Sequence, residues 1–187
     1  MTTATAPASR KLNLGCGHDV KPGWVNLDIA PLDGVDVVHD LDDHPLPFDD
    51  ESFDYIECID ILEHVDDLPD VMRELHRILA PGGRLRIHVP HFTSSVWATD
   101  PTHRRAFAIN TFEFFSKGSL HDRGYYFDFS FASVAERTIR FQRSPYLPWN
   151  RPMEWFVNRG RKLQGFYEAT FLARMFPAHA VEVELVR

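Results

Sequence analysis

Residues of the kind that bind a nucleoside follow three short apolar runs near the start of the sequence. Gly15 and Gly17 follow residues 12–14, and Asp28 and Asp40 end the next two apolar runs. Glycine has no Cβ and tolerates positive φ, so such a loop lets the backbone approach a ligand closely. Carboxylates supply acceptors for hydroxyl and amine donors. Because ligands lie outside the carboxyl ends of parallel strands, these residues predict one nucleoside-sized site.

Titratable side chains suited to proton transfer come later, starting at Asp60. Asp60 follows a fourth apolar run, and it either contacts a substrate or caps a short helix toward residue 65. His64 lies four residues further on and would share a helical face with Asp60. Its imidazole is suited to act as a base near neutral pH, while packing or capping is the alternative role. His91 follows Pro90 and is expected to point into the same crevice.

The segment 99–105 is the most distinctive in the second half of the sequence. It places an acid, an imidazole and two guanidinium groups at Asp100, His103, Arg104 and Arg105. We predict that His103 accepts a substrate proton with Asp100 orienting it, and that Arg104 or Arg105 holds a carboxylate or phosphate. The alternative is an Asp-Pro turn followed by a solvated basic pair.

A metal site formed by the same segment and its neighbours is a further possibility. His91, Asp100, His103 and His121 are all of ligand type. Their irregular spacing matches no ligand signature, so the sequence predicts no metal.

The sequence pattern predicts that strands alternating with helices position these residues. The predicted strands cover residues 12–14, 24–27, 35–38, 55–59, 84–89, 134–141 and 180–186. Apolar spacing predicts a helix over 68–80 that stops at residues 81–83, and Asn110 is predicted to cap a short helix over 112–115. Two helices are predicted within 151–176, broken near Gly160 and Gly165. This alternation indicates a doubly wound α/β sheet.

Three ordered motifs resemble a known family. They are Leu-Pro-Phe followed by an acidic turn and Phe-Asp at 46–54, Leu-Glu-His-Val at 62–65, and Pro-Gly-Gly at 81–83. Over residues 11–90 the chain resembles the class I S-adenosylmethionine-dependent methyltransferases, in particular the type 11 group. The resemblance implies a Rossmann-like sheet, mostly parallel with an antiparallel last strand. It also implies S-adenosyl-L-methionine as cofactor and S-adenosyl-L-homocysteine as product.

The same resemblance implies a set of cofactor contacts. These are Gly15, Cys16, Gly17, Asp28, Ile29, Asp40, Leu41 and Asp60. The glycine loop would admit the methionine end, Asp28 would accept from the ribose hydroxyls, and Asp40 with the Leu41 backbone would meet the adenine. The chain departs from the family at Asp19, which replaces the usual third glycine. Residues 18–23 are also too few for a full crossover helix, so we predict a single turn or none.

A dinucleotide-binding fold is the rival interpretation of the glycines. That fold requires a third glycine where Val20 stands, and an acid about 20 residues further on. Asp28 arrives too early to be that acid.

Composition predicts how the chain is organised and which partners it lacks. Its 187 residues fit one domain over 11–187, with a disordered tail at 1–10, a cofactor-binding half at 11–90, and a substrate-facing half with an aromatic and helical cap at 91–187. A formal charge of −7 argues against a nucleic-acid partner. With no long apolar stretch, we expect a cytoplasmic protein without a membrane partner, whose two cysteines stay reduced. We also expect a monomer or a homodimer.

The function predicted from these features is methyl transfer to an oxygen or nitrogen of a small metabolite. A sugar or a natural-product intermediate with an anionic or polar handle would suit the basic groups at 99–105 and the dense aromatics over 92–176. Two alternatives stay open. One is a regulatory module that binds the cofactor without turnover, and the other is a methyltransferase acting on protein or RNA.

Overall fold

A computed structural model describes residues 10–118 and 124–187, so most of the predicted tail and His121 lie outside the described residues. The strands are β1 (Lys11–Leu14), β2 (Val25–Asp28), β3 (Val37–Val38), β4 (Phe53–Ile59), β5 (Leu79–Pro90), β6 (Ser133–Arg140) and β7 (Ala180–Val186). The helices are α1 (Leu68–Ile78), α2 (Ser95–Thr99), α3 (Asn150–Val157), α4 (Arg161–Ala169) and α5 (Leu172–Met175), with 3₁₀ turns at Thr111–Phe115 and Gly124–Tyr126.

The seven strands form one sheet in the order β3-β2-β1-β4-β5-β7-β6. Strands β1 to β5 pair in parallel, while β7 runs antiparallel to both of its neighbours. The predicted mostly parallel sheet with an antiparallel last strand is therefore confirmed. The chain moves outward from β1 to β3 and then returns to β4. The carboxyl ends of β1 and β4 consequently lie side by side at the point where the strand order reverses, which is where α/β sheets bind ligands.

No helix connects β1 to β2 in the described part of the chain, as the short 18–23 segment predicted. Two asparagines of the sheet hold the loop instead. Asn13 Nδ2 donates to the Asp19 carbonyl at 2.7 Å and to Asn26 Oδ1 at 3.1 Å. Asn26 Oδ1 also accepts from the Lys21 backbone N–H at 2.9 Å. These bonds satisfy loop groups that a helix would otherwise satisfy internally.

The two faces of the sheet differ in chemistry. One face and the helices α1, α3, α4 and α5 contribute to a single buried apolar cluster. The opposite face carries charged side chains that pair across strands, with Arg86 Nη1 to Glu57 at 3.1 Å and Arg140 Nη2 to Glu182 at 2.6 Å. The Rossmann-like strand order is as predicted. Among the described elements, α1, α3, α4 and α5 contribute to the apolar cluster, whereas the charged strands of the opposite face are paired with one another across the sheet.

Helix α1 begins with Asp67, whose side chain accepts from the Asp70 backbone N–H. Its apolar stripe is buried as the spacing predicted. The predicted end at residue 80 is wrong, because the helix ends at Ile78 and β5 starts at once. Pro81 disfavours helical geometry in the residue before it. Gly82 then adopts a φ of +78° within the irregular start of β5.

The second half follows the prediction in its strands and less well in its helices. Residues 151–176 hold three helices rather than two, and Gly165 lies inside α4 instead of ending a helix. The predicted helix after Asn110 is a 3₁₀ turn, and Asn110 does not cap it. Its side chain accepts from Arg137 Nη1 at 2.9 Å instead.

Both cysteines, Cys16 and Cys58, are buried free thiols. Across the described ranges, every helix is too short or too polar to pass through a lipid bilayer.

Candidate functional site

A cavity of about 270 Å³ opens at the carboxyl ends of the first three strands. Its described lining is Gly15, Leu27, Asp28, Ile29, His39, Asp40, Leu41, Asp42, Ile61, His64, Val65 and Arg104. Five of the predicted cofactor contacts are in this wall, together with two of the residues predicted to act on a substrate. The sequence-based expectation that three strand ends face one crevice agrees with this geometry.

Gly15 is required by the close packing of the loop that follows β1. Its φ is +65°, a conformation that residues with a Cβ rarely adopt. A Cβ at this position would stand 2.7 Å from Ile61 Cδ1 and 2.8 Å from Ile61 Cβ. Gly17 also has positive φ, but open space surrounds it. The Gly15 backbone is therefore held against the loop after β4, where it forms the cavity floor.

Asp28 shapes the glycine loop and also faces the cavity. Its Oδ2 accepts from the Gly17 backbone N–H at 2.7 Å, and its Oδ1 accepts from the Ala30 backbone N–H at 2.9 Å. A carboxylate offers about four acceptor sites, so two remain for hydroxyl donors. Asp40, on the neighbouring strand end, is exposed and accepts from the Asp42 backbone N–H at 3.0 Å. Both carboxylates thus keep free acceptor capacity at the cavity.

Cys16 and Asp60 do not contribute to the described cavity wall. The Cys16 thiol is buried and lies 3.7 Å from the Gly17 carbonyl. Burial, with the Asp28 charge nearby, raises the pKa of Cys16. Asp60 has a φ of +50° and pairs with His88 Nδ1 at 2.8 Å on the charged face of the sheet. The residues after Asp60 form turns rather than a helix. Both the helix-cap interpretation and the shared helical face with His64 are therefore wrong.

A buried acid and two imidazoles lie next to the cavity. Glu63 is fully buried, and burial raises the pKa of its carboxyl to about 7. Its Oε1 lies 3.9 Å from His103 Nε2. The rings of His64 and His103 meet edge to face with centroids 4.7 Å apart. Burial, helped by the neighbouring His103, lowers the pKa of His64, which keeps that imidazole neutral near pH 7.

Asp100 orients a different histidine from the one predicted. The Thr102 hydroxyl donates to Asp100 Oδ1 at 2.6 Å, so its oxygen accepts from His64 Nδ1 at 2.9 Å. His103 Nδ1 instead donates to the Trp97 carbonyl at 3.0 Å. Asp100 Oδ2 stands 3.9 Å from His103 Nε2, beyond hydrogen-bond range. The predicted Asp100–His103 pairing is thus replaced by an Asp100–Thr102–His64 chain.

The two arginines of the 99–105 segment have different surroundings. Arg104 lines the cavity and forms an ion pair with Asp66, while its side chain stays 56% exposed. Arg105 lies outside the described wall, and its Nη2 donates to the Asp66 carbonyl at 2.7 Å. Of the two, Arg104 is the one placed to meet an anionic group.

His91 does not point into the cavity, and that expectation is wrong. Its ring is fully buried and Nδ1 accepts from the Thr93 backbone N–H at 3.1 Å. Nε2 therefore carries the hydrogen and faces Glu168 Oε1 at 3.1 Å. Glu168 also accepts from the Ile109 backbone N–H. His91 joins the end of β5 to α4 rather than meeting a ligand.

Two residues that the sequence reasoning did not single out complete the site. Glu63 was visible only as part of the Leu-Glu-His-Val motif, and its place in that motif was its only signal. Ile61 closes the floor beneath Gly15. A larger hollow of about 540 Å³ lies among residues 142–151, but none of the predicted site residues lines it. The volume of a cavity alone therefore does not identify the functional site.

A family model described as a methyltransferase domain matches residues 16–87. Methyltransferase GfsG from Streptomyces halstedii is 43% identical over 60 residues, which are 32% of this chain and 19% of that protein. Demethylmenaquinone methyltransferase from Staphylococcus epidermidis is 44% identical over 54 residues, which are 29% of this chain and 22% of that protein. The matched segments thus span about a fifth of each of these relatives.

Solved structures share the fold over nearly the whole chain. A SAM dependent methyltransferase from Archaeoglobus fulgidus superposes with a TM-score of 0.62 at 17% identity, covering 97% of this chain and 87% of that one. The [4+2]-cyclase SpnF superposes with a TM-score of 0.57 at 18% identity, covering 96% and 74%. The strand order and the domain match agree with the motifs of the sequence. Residues 16–87 match a type 11 methyltransferase domain, and nearly the whole chain shares the fold of class I S-adenosylmethionine-dependent methyltransferases.

Proposed function

We propose that this chain binds S-adenosylmethionine in the 270 Å³ cavity and transfers its methyl group to a small molecule. The observation that carries the proposal is the convergence of Gly15, Asp28 and Asp40 at one cavity that His64 also lines. A nucleoside cofactor needs a close backbone approach and hydroxyl acceptors, and an acceptor molecule needs a polar group beside it. This cavity supplies both.

The described residues suit the parts of that cofactor. The Asp28 carboxylate has two acceptor sites left for ribose hydroxyls. Ile29, Leu41 and Val65 form apolar walls suited to a purine ring. The Gly15 backbone gives the methionine end access to the loop after β4. Cys16 and Gly17 continue the loop from Gly15 but lie outside the cavity wall, so we assign them no side-chain contact with the cofactor.

Methyl transfer requires few further catalytic groups from the protein. An acceptor lone pair forms the bond to the methyl carbon while the carbon–sulfur bond breaks and its electron pair stays on sulfur. A hydroxyl or amine acceptor must also lose a proton. The protein's task is to align the two molecules and to manage that proton. We assign this task to the Glu63, His64 and His103 cluster, of which His64 reaches the cavity.

A small acceptor with an oxygen or nitrogen nucleophile and an anionic handle fits the surroundings best. Arg104 lines the cavity and remains more than half exposed, so it can meet a carboxylate or phosphate. The net charge of −7 disfavours a nucleic-acid acceptor. The two curated relatives are named as methyltransferases, which supports the same reaction class. A cytoplasmic monomer or homodimer remains our expectation.

A second candidate is a protein that keeps the fold and the cofactor but does not transfer methyl groups. The likeness to the [4+2]-cyclase SpnF supports this candidate, since that protein is named for a different reaction on a similar fold. The two candidates differ in one measurable quantity, the formation of S-adenosylhomocysteine.

The test follows S-adenosylhomocysteine formation with a panel of hydroxyl and amine acceptors. Replacing His64 with Asn should lower turnover by ~10²–10⁴, as for a lost acid–base group, with cofactor affinity unchanged. His103→Ala should act in the same direction. His179→Ala is the control, because that histidine lies outside the cavity. Cofactor binding without any turnover would favour the second candidate, and absence of cofactor binding would refute both.

A further inference from the structure

Three side chains of ligand type meet beside the cavity although one of them comes from a distant segment. Glu63, His64 and His103 each offer one ligand atom, and these atoms all lie within 4.8 Å of one another. Neither carboxylate oxygen of Glu63 has a hydrogen-bond partner among the described residues, and the side chain is buried. A buried carboxylate without a partner is costly, and native proteins normally compensate such a group.

Both imidazoles are held in the tautomer that leaves Nε2 free to coordinate. His103 Nδ1 donates to the Trp97 carbonyl at 3.0 Å. The Thr102 hydroxyl donates its hydrogen bond to Asp100. The Thr102 oxygen therefore accepts a hydrogen bond from His64 Nδ1–H. In each ring the remaining lone pair is therefore on Nε2. Histidines that bind metals characteristically donate their other ring N–H to a carbonyl or to a carboxylate-linked group in this way.

We propose that Glu63, His64 and His103 bind a divalent first-row transition metal ion, with Zn²⁺ as the reference ion. Two imidazoles and one carboxylate form a ligand set of metal sites that use three protein ligands and leave a fourth position for water or substrate. Ligand atoms around a tetrahedral ion at about 2.1 Å are about 3.4 Å apart. The 3.9 Å between Glu63 Oε1 and His103 Nε2 needs only a small side-chain rotation to reach that spacing.

The spacing of ligand-type residues predicted no metal, and the proposal departs from that prediction for a structural reason. The candidate ligands in the sequence were three histidines of the second half with Asp100, and Glu63 was not among them. The contact between the 61–65 turn and the 99–105 segment is tertiary, with the Arg104 backbone N–H donating to the Glu63 carbonyl at 2.8 Å. This bond brings His103 to Glu63, and no local pattern encodes it.

The metal also narrows the acceptor class, a step that rests on the proposed function. His64 belongs to the cluster and lines the cavity, so an open coordination position would face the acceptor. With the ion bound, the cluster would act on the acceptor proton through the metal: a hydroxyl bound to the ion would lose its proton more readily, and that proton would leave to solvent. The resulting oxygen then forms the bond to the methyl carbon as the carbon–sulfur bond breaks toward sulfur. The acceptor is therefore a hydroxyl, enol or phenol oxygen rather than an amine.

The metal test uses calorimetric titration of Zn²⁺ into the tag-free full chain after removal of metal by a chelator, with no cofactor present. We expect one equivalent to bind. Glu63→Gln and His103→Ala should each weaken binding at least about tenfold, the effect of losing one ligand contact. His179→Ala removes one imidazole elsewhere and should leave binding unchanged. Thermal unfolding of the same proteins checks folding, and Zn²⁺ should raise the midpoint of the native chain by more than that of Glu63→Gln.

Failure of the native chain to bind Zn²⁺, or equal binding by both ligand variants, would overturn the metal site. If Glu63→Gln does not fold, His103→Ala decides the outcome with the same readouts. Titration of S-adenosylhomocysteine into the metal-free chain tests the proposed function separately. Zn²⁺ binding without cofactor binding would refute methyl transfer and keep the metal, and the reverse result would keep only methyl transfer.

Discussion

Replacement of Asp28 by Ala should weaken cofactor binding and also loosen the glycine loop. The carboxylate accepts two backbone N–H groups, from Gly17 at 2.7 Å and from Ala30 at 2.9 Å. Charge-assisted bonds of this kind contribute about 1.5–3 kcal/mol each. Asp28 is partly exposed, so about 2–3 kcal/mol in total is a reasonable loss in the free energy of unfolding. Losing the ribose acceptors should cost about 1–3 kcal/mol more in binding, or about 5- to 150-fold in Kd.

A matched control separates the two effects. Asp36 accepts from the Asn26 backbone N–H at 2.8 Å and from its side-chain amide at 3.2 Å, but it does not line the cavity. Asp36→Ala should therefore also lower stability and leave affinity unchanged. Calorimetric titration of S-adenosylhomocysteine measures Kd, and urea denaturation measures stability. Equal Kd values for the native chain and Asp28→Ala, or an equal loss of affinity in Asp36→Ala, would refute the assigned role of Asp28.

Two further predictions concern charged pairs outside the cavity. Burial lowers the pKa of His88, but the Asp60 carboxylate outweighs burial and the net shift is upward. The pair therefore stabilises the fold fully below the unfolded pKa of about 6.5 and loses its effect as pH rises through the raised folded pKa. In urea denaturation, Asp60→Asn should cost more stability near pH 5.5 than near pH 8.5, and a constant cost would contradict the pairing. Arg137→Ala should lower the free energy of unfolding by about 3–5 kcal/mol, because it leaves the buried Glu113 carboxylate short of a partner. Arg161 pairs with the same carboxylate but is more exposed, so Arg161→Ala should cost under about 1 kcal/mol. Equal costs in denaturant unfolding would contradict that ranking.

Local sequence patterns predicted the sheet well because they depend on short-range physics. The apolar stripe of α1 and the alternation in β5 and β7 come from neighbours within one element. The missing helix after β1 could be predicted from length alone, since residues 18–23 are too few for a helical crossover. The charged second face was foreseeable in the alternation of Arg84, Arg86 and His88, which leaves no apolar surface for a helix on that side.

The acceptor side of the site could not be predicted from spacing. A helix through Asp60 and His64 requires helical φ, but Asp60 adopts +50° and turns the chain instead. His91 is held by Glu168, 77 residues away, so its burial depends on how α4 packs. The Glu63 contact with His103 likewise depends on tertiary packing. These positions are set by the packing of distant segments, which a single sequence does not display.

Amide chemical shifts of the assigned, isotope-labelled chain on titration with S-adenosylhomocysteine test the central claim most directly. The account predicts the largest shift changes at Gly15, at Asp28 with Ile29, and at Leu41, the residues that line the 270 Å³ cavity. Smaller changes should reach His64 through the shared wall. No perturbation at saturating ligand, or changes confined to the larger hollow at residues 142–151, would contradict it.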